Sequence, residues 1–190
     1  MKPFDCIIPW SGGVESTALV WWAKENGHVP LTYHVTSRWD GRREEEKTAV
    51  KEMANILNVQ VQYLSNHADG HMRWNDTKSY LEIKNFSFWM WWGVLMAGQN
   101  PDIKNVWYGN NCGLYEVGDG LGDGDESFAF VSTVRGCREL ARGLNINFDI
   151  YCPYKASKIE QWNWLPSNIR KLVASSDKKP EWVKWQKKNQ

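Results

Sequence analysis

The sequence predicts an α/β fold, a doubly wound parallel five-stranded sheet with helices on both faces and a Rossmann-like layout. Three observations predict it. Short apolar, β-rich runs alternate with helical stretches along most of the 190 residues, the order that produces right-handed βαβ crossovers. The first run, Cys6-Ile7-Ile8-Pro9, leads into a serine- and glycine-rich turn and then a helical pattern. That is where ligands sit in such folds, beyond the carboxyl ends of the strands. The composition is 42% hydrophobic and 24% charged, an ordinary globular balance in a chain long enough for one domain with a real core.

The elements follow in order. The first strand is expected at about Asp5 to Pro9, and the first helix at Glu15 to Asn26 with Gly27 as its C-cap. Leu31 to Thr36 alternates and forms the second strand. A charged helix opens after Asp40-Gly41; within it Val50, Met53, Ala54 and Leu57 recur at helical spacing and mark one buried face. Val59 to Leu64 reads Val-Gln-Val-Gln-Tyr-Leu and is the third strand. Asn66 to Asp76 is a polar loop. A helix spans Ser79 to Ala97, stopped by Gly98 with Pro101 beyond. Within it Phe86 to Gly98 is too short for a bilayer and too long for a strand, so a buried helix is expected. Asn105 to Gly109 is the fourth strand, Cys112 to Asp125 a glycine- and aspartate-rich loop, Ser127 to Leu144 a helix, and Phe148 to Cys152 the fifth strand. A short helix starts near Ser157 and another follows Pro166.

A net charge of +1 offers no global field for nucleic acid or membrane. Thirteen tryptophans suit either a core or a planar ligand. Cys6, Cys112, Cys137 and Cys152 form no Cys-x-x-Cys pair, so zinc is not expected and all four read as reduced thiols of a cytoplasmic protein. The chain enters a strand almost at once, where a secretory leader would place a longer apolar run.

The chemistry concentrates in Ser11-Gly12-Gly13-Val14-Glu15-Ser16-Thr17. Two glycines permit a tight turn and close approach to a ligand. The hydroxyls of Ser11, Ser16 and Thr17 add donors, and the helix start directs N–H groups and the positive end of its dipole at the same spot. This is a phosphate cradle, although it lacks the lysine of the Walker loop. An ordinary strand-to-helix turn with a serine cap is the plainer alternative.

The segment resembles the Ser-Gly-Gly-x-Asp-Ser loop of the ATP-pyrophosphatase (PP-loop) superfamily, of adenine nucleotide alpha hydrolase-like fold, with Glu15 in place of the usual Asp. Four later segments resemble one branch, the 7-cyano-7-deazaguanine synthases. Thr36 to Glu46 is similar to that family's Gly-Gln-Arg-His-x-x-Glu region. Ile83-Lys84-Asn85-Phe86 resembles its Pro-Gly-Arg-Asn segment, and Val106-Trp107-Tyr108-Gly109 its Val-Ile-Thr-Gly strand end. Cys152 to Glu160 resembles its Thr-Pro-Leu-x-x-x-[Asp/Ser]-Lys-x-Glu-Ile stretch. The resemblance runs from about Asp5 to Asp177, so residues 1–177 form the synthase-like domain and 178–190 a basic, tryptophan-containing tail. The family's four-cysteine zinc cluster has no counterpart, and the acidic loop Gly118 to Phe128 is longer than the family's.

The resemblance implies an enzyme that uses ATP and Mg²⁺ to adenylate the carboxylate of 7-carboxy-7-deazaguanine, releases pyrophosphate, and lets ammonia form the amide or nitrile. It implies that Ser11, Gly12, Gly13, Val14 and Ser16 hold phosphates and that Lys158 acts beside them. Glu15 is the one expected protein ligand to Mg²⁺. Backbone groups near Tyr33, His34 and Val35 would meet adenine. Arg42, Arg43 or Lys84 would meet the substrate carboxylate or phosphates, and Asp123, Asp125 or Glu126 the guanine-like donors.

Plainer readings stand beside these. Lys158 is alternatively a solvated lysine at a helix start, and Arg42 to Glu46 an exposed helix face. Asp119, Asp123 and Asp125 suit a surface loop, and their spacing does not fit an EF-hand. His67 and His71 lie in a loop without an obvious third metal ligand. The run Phe86, Phe88, Trp89, Trp91, Trp92 packs a core or offers one ring to the deazaguanine. Trp182 and Trp185 in the tail offer a homodimer contact; its lysines indicate nucleic acid only weakly. The rival functions are another adenylating enzyme of the superfamily, namely a tRNA sulfurtransferase with Cys112 as its positional candidate or an amide synthetase, and a non-catalytic nucleotide- or deazaguanine-binding module.

Overall fold

The computed structural model describes residues 2–36, 43–65, 85–109, 124–154, 156 and 158–173. Five strands, β1 (Cys6–Pro9), β2 (Pro30–Thr36), β3 (Val61–Ser65), β4 (Asn105–Trp107) and β5 (Asp149–Tyr151), alternate with α1 (Val14–Glu25), α2 (Arg43–Leu57), α3 (Asn85–Gln99) and α4 (Gly124–Gly143). Two short helices, α5 (Lys158–Trp164) and α6 (Ser167–Arg170), follow. The strands form one parallel sheet in the order β3-β2-β1-β4-β5, the expected α/β architecture.

Burial on both faces explains why β1 reads as an unbroken apolar run. Cys6 and Ile8 point to the side covered by α1, α2 and α6, with Leu19, Met53 and Ile169. Ile7 points to the other side, among Met90, Val94 and Val134 of α3 and α4. The expected α2 face, Val50, Met53, Ala54 and Leu57, is buried throughout. The chain builds β1, β2 and β3 outward in one direction, then crosses to place β4 on the other flank of β1. The β1/β4 boundary is therefore the topological switch point.

Helix ends depart from expectation in instructive ways. Three helices close with the same pair of bonds. Gly27 N–H reaches Lys24 O at 3.0 Å and His28 N–H reaches Ala23 O at 2.9 Å. Asn58 and Val59 repeat the pair on Asn55 and Ala54, and Asn145 and Ile146 on Arg142 and Ala141. Each is a Schellman motif, with Gly27, Asn58 and Asn145 at φ of 80°, 49° and 54°. Val59 is thereby committed to the α2 cap, and β3 begins at Val61 instead of Val59.

Gly98 does not stop α3, which runs on to Gln99. A Cβ at Gly98 would lie 2.9 Å from Ile146 Cδ1, so this glycine admits the chain beyond α4, and Asn100 closes the helix by donating to Met96 O. Nor is α3 buried all round. Met90, Val94 and Ala97 are buried, while Trp91 and Leu95 are about half exposed, because α3 lies on the sheet's outer layer beside α4. The fourth and fifth strands are also shorter than expected, and α4 begins at Gly124, three residues before Ser127. Acidic residues suit a helix's first turn, which is where Asp125 and Glu126 fall. Among the described residues no helix is long and apolar enough to cross a membrane.

Replacing Asn58 or Asn145 by Ala should cost about 1 kcal/mol each, because alanine resists the left-handed conformation. Replacement by Gly should be neutral or stabilising. Urea unfolding of the four variants checks this.

Candidate functional site

At the carboxyl end of β1 the chain leaves the sheet through Trp10 and turns at Gly12, whose φ of 90° suits glycine. Gly13 starts α1 in an extended conformation and offers no side-chain cap; its carbonyl accepts the N–H of Thr17 at 3.0 Å. The hydroxyls close on themselves. Ser11 Oγ and Ser16 Oγ lie 2.9 Å apart, Ser11 N–H donates to Ser16 Oγ at 3.2 Å, and Gly13 N–H donates to Ser11 Oγ at 3.3 Å. Ser16 Oγ donates in turn to Gly13 O. The loop is thus a compact ring of hydroxyls and amides closed on itself, set at a helix N-terminus, the end whose dipole favours an anion. Val14 is buried beneath it.

Behind the ring, Trp10 is wholly buried and held at three points. Its backbone N–H donates to Tyr33 O at 2.8 Å, its indole N–H to Thr17 Oγ1 at 3.0 Å, and its carbonyl lies 2.9 Å from His34 Nδ1. A carbonyl only accepts, so Nδ1 carries the proton. Burial is the chief cause that holds the His34 imidazole below its ordinary 6.5; the Trp10 carbonyl opposes this and the Lys47 charge adds to it.

Two more elements close on the loop. Lys158, at the start of α5, forms an ion pair with Glu15 in the first turn of α1, Nζ to Oε1 3.0 Å, with both side chains mostly buried. The Tyr154 hydroxyl lies 3.5 Å from Glu15 O and 3.4 Å from Gln161 Oε1. From the other side, Gly109 follows β4 and approaches α1 so closely that a Cβ would fall 2.5 Å from Glu15 O. The loop after β1 and the end of β4 thus meet at the switch point.

The other expected site residues are placed as follows. Tyr33 and Val35 direct their peptides toward β1 and His34 toward β3, by strand alternation and the register. The Tyr33 carbonyl is taken by Trp10. Pairing with β1 ends at Pro9↔Tyr33, so of the three only Val35 directs its peptide past the end of β1. Arg43 opens α2, and Asp125 and Glu126 lie in the first turn of α4. Helices of a parallel sheet return antiparallel to the strands, so these N-termini share the loop's edge of the sheet. Arg42, Lys84, Asp123, Cys112, His67, His71, Asp119, Trp182 and Trp185 lie outside the described residues.

The donor set at the loop suits Mg²⁺ in one respect. This ion takes one or two carboxylates together with substrate phosphate oxygens, and Glu15 supplies a carboxylate at the loop's mouth. Among the described residues no three His, Cys, Asp or Glu side chains gather as metal ligands.

No protein-family model matches the chain, and no curated protein does. Among solved structures, it is similar to the U34-tRNA thiolase NcsA from Methanococcus maripaludis with its 4Fe-4S cluster, at a TM-score of 0.56 and 13% identity. The match covers 95% of this chain and 62% of the thiolase. What the two share is the fold. The thiolase's cluster finds no counterpart among the described cysteines. Cys6 and Cys137 are buried on opposite faces of the sheet. Burial, the chief cause in both, pushes the Cys6 thiol up and the Cys137 thiol up to about 11. Cys152 is half-buried, its Sγ 3.2 Å from Tyr154 O.

The His34 side chain and Trp10 were not legible as site features in the sequence; only the backbone near His34 drew notice. A polar residue amid the β-rich Leu31 to Val35 was the available signal.

Gly109→Ala should force α1 away from β4 and destabilise the protein by about 1–3 kcal/mol; thermal unfolding reads this. The depressed His34 pKa stabilises the fold above the ordinary 6.5, and that contribution is lost as pH falls below it, because the unfolded state binds the proton first. Among the described residues, the Tyr63 ring packs edge-on against this imidazole and the Lys47 charge acts on it. Stability should fall by at most about 1.4 kcal/mol per pH unit on this account. Denaturant unfolding between pH 7 and 5 should show His34→Asn losing that part of the slope.

Proposed function

We propose that this chain is an ATP-dependent adenylating enzyme of the PP-loop type whose substrate carboxylate belongs to a 7-deazaguanine. The observation that carries the adenylating part is the Glu15–Lys158 ion pair. It joins the loop's acidic position to the lysine at the start of α5, 143 residues apart in the chain, beside the serine ring and at the switch point.

In this reading the amides and hydroxyls of Ser11, Gly12, Gly13 and Ser16, with Val14 forming the base, hold the β- and γ-phosphates. Lys158 moves from Glu15 to the phosphates as a compact positive charge. Mg²⁺, when bound, neutralises pyrophosphate as it leaves, and Glu15 is the carboxylate to hold it. Val35 is the backbone position facing adenine. A carboxylate oxygen attacks the α-phosphorus, the bond to pyrophosphate breaks, and an acyl-adenylate remains. Ammonia then attacks the acyl carbon, AMP leaves and a proton is lost, giving the amide. A second ATP adenylates the amide oxygen with release of pyrophosphate, and loss of AMP and both amide N–H protons gives the nitrile. Positioning and charge stabilisation supply the catalysis. The deazaguanine assignment is supported by the order of the motifs between Thr36 and Glu160. Arg42, Arg43 or Lys84 would meet its carboxylate, and Asp123, Asp125 or Glu126 its ring donors.

A second reading has its own observation. The fold likeness to a U34-tRNA thiolase supports a tRNA sulfurtransferase that adenylates a nucleobase and then transfers sulfur. Its reactive thiol would be Cys112, the candidate by its position in the loop after β4, while Cys6 and Cys137 are buried and held protonated by burial.

Mass spectrometry after incubation with Mg·ATP, ammonium and 7-carboxy-7-deazaguanine should show amide or nitrile with matching pyrophosphate. Lys158→Met should lower that turnover by about 10²-fold, and Cys112→Ser should leave it intact. No product from the deazaguanine, with thiolated tRNA formed and abolished by Cys112→Ser, would establish the second reading. ATP binding without pyrophosphate release from either substrate would establish a binding module.

A further inference from the structure

We infer that the side chain of His34 is a positioning residue that takes the place of a sheet rung, and so both releases the loop after β1 and leaves the Val35 peptide facing the nucleotide. The inference rests on the reading of that loop as a nucleotide phosphate cradle.

In a parallel ladder the bonds are evenly spaced, and each residue turned toward its neighbour bridges two residues of that strand. Tyr33 is such a residue: its carbonyl accepts the Trp10 N–H at 2.8 Å, and its own position pairs with Pro9. The next rung of a continued ladder would run from Val35 N–H to the Trp10 carbonyl. The structure makes a different bond there, from His34 Nδ1–H to that carbonyl at 2.9 Å. Without some donor the carbonyl would be orphaned, since Trp10 is fully buried and His34 is 1% exposed. The imidazole therefore satisfies from the side the first carbonyl beyond β1. The backbone is then free to turn at Ser11 and Gly12 instead of adding another rung.

Two consequences follow. The direction of the Ser11 to Gly13 amides depends on a side chain of β2, the strand that also faces adenine. And β2 continues beyond Tyr33 alongside β3 with the Val35 N–H and carbonyl turned toward the mouth. Those are one donor and one acceptor, the pair that the Watson–Crick edge of adenine complements and that of guanine does not in the same order. Loss of the imidazole donor should let Val35 N–H recapture the Trp10 carbonyl. That would lengthen β1 by a rung, draw the loop toward β2 and occupy the adenine edge.

Asparagine and glutamine separate the two ring nitrogens. The amide nitrogen of Asn overlays Nδ1, whereas that of Gln overlays Nε2. ATP and GTP titrations of wild type, His34→Asn and His34→Gln, with amide hydrogen exchange of the nucleotide-free proteins, test the inference. His34→Asn should bind ATP as wild type does. His34→Gln should bind it about tenfold more weakly, discriminate less between ATP and GTP, and protect the Val35 amide from exchange. Equal behaviour of the Asn and Gln variants overturns the inference. So does a Nε2–H tautomer of His34 in the nitrogen NMR spectrum of the wild type, a readout that stands even if the Gln variant fails to fold. Should the wild type bind neither ATP nor pyrophosphate, the cradle reading fails; the tautomer and Val35 exchange then still decide whether His34 replaces the rung.

Discussion

The structure depends on how β1 ends. A strand buried on both faces must satisfy every backbone polar group as it stops pairing, and it must do so within one or two residues if a helix is to start beside it. Trp10 meets that constraint. Its amide stays in the sheet, its carbonyl goes to His34 and its indole N–H goes to Thr17 one turn into α1. Strand β1, strand β2 and helix α1 are thereby tied at one residue, and the serine ring hangs from that knot. The large indole also fills the space that a turn of small residues would otherwise leave between α1 and the sheet.

The rest of the site is brought to this knot by close approach and by charge. Gly109 lets β4 reach the backbone of α1 at the switch point, and no residue with a Cβ fits there without movement. Lys158 pairs with Glu15 from α5, and α5 in turn packs on α1. A glutamate at this position reaches one methylene further than an aspartate. The resulting pair gives a mostly buried lysine a carboxylate partner in the first turn of α1. The first turns of α2 and α4 lie on the same edge because parallel crossovers return every helix start to it.

Particular residues show where sequence reasoning succeeded. The alternation of strands and helices, the face of α2 at Val50, Met53, Ala54 and Leu57, and the left-handed Gly27 all follow from periodicity and from the conformational freedom of glycine. So does the serine-glycine turn between β1 and α1, where Gly12 takes a positive φ. Asn58 and Asn145, which cap their helices as Gly27 does, escaped because asparagine is common in loops of every kind. Gly98 misled for the opposite reason. A glycine near a helix end reads as a stop, and its real task, admitting Ile146, involves a residue 48 positions away.

The sequence by itself determined the fold class and the serine-glycine turn into a helix start, because both rest on local patterns: side-chain period and turn chemistry. It also marked Lys158 and Glu15 separately, through resemblance. Only the tertiary structure decided that those two side chains touch, that Gly109 must be bare, and that His34 turns inward to the Trp10 carbonyl. Each of these is a contact between segments distant in sequence. Their geometry is set by strand order and helix packing, and no local pattern encodes it.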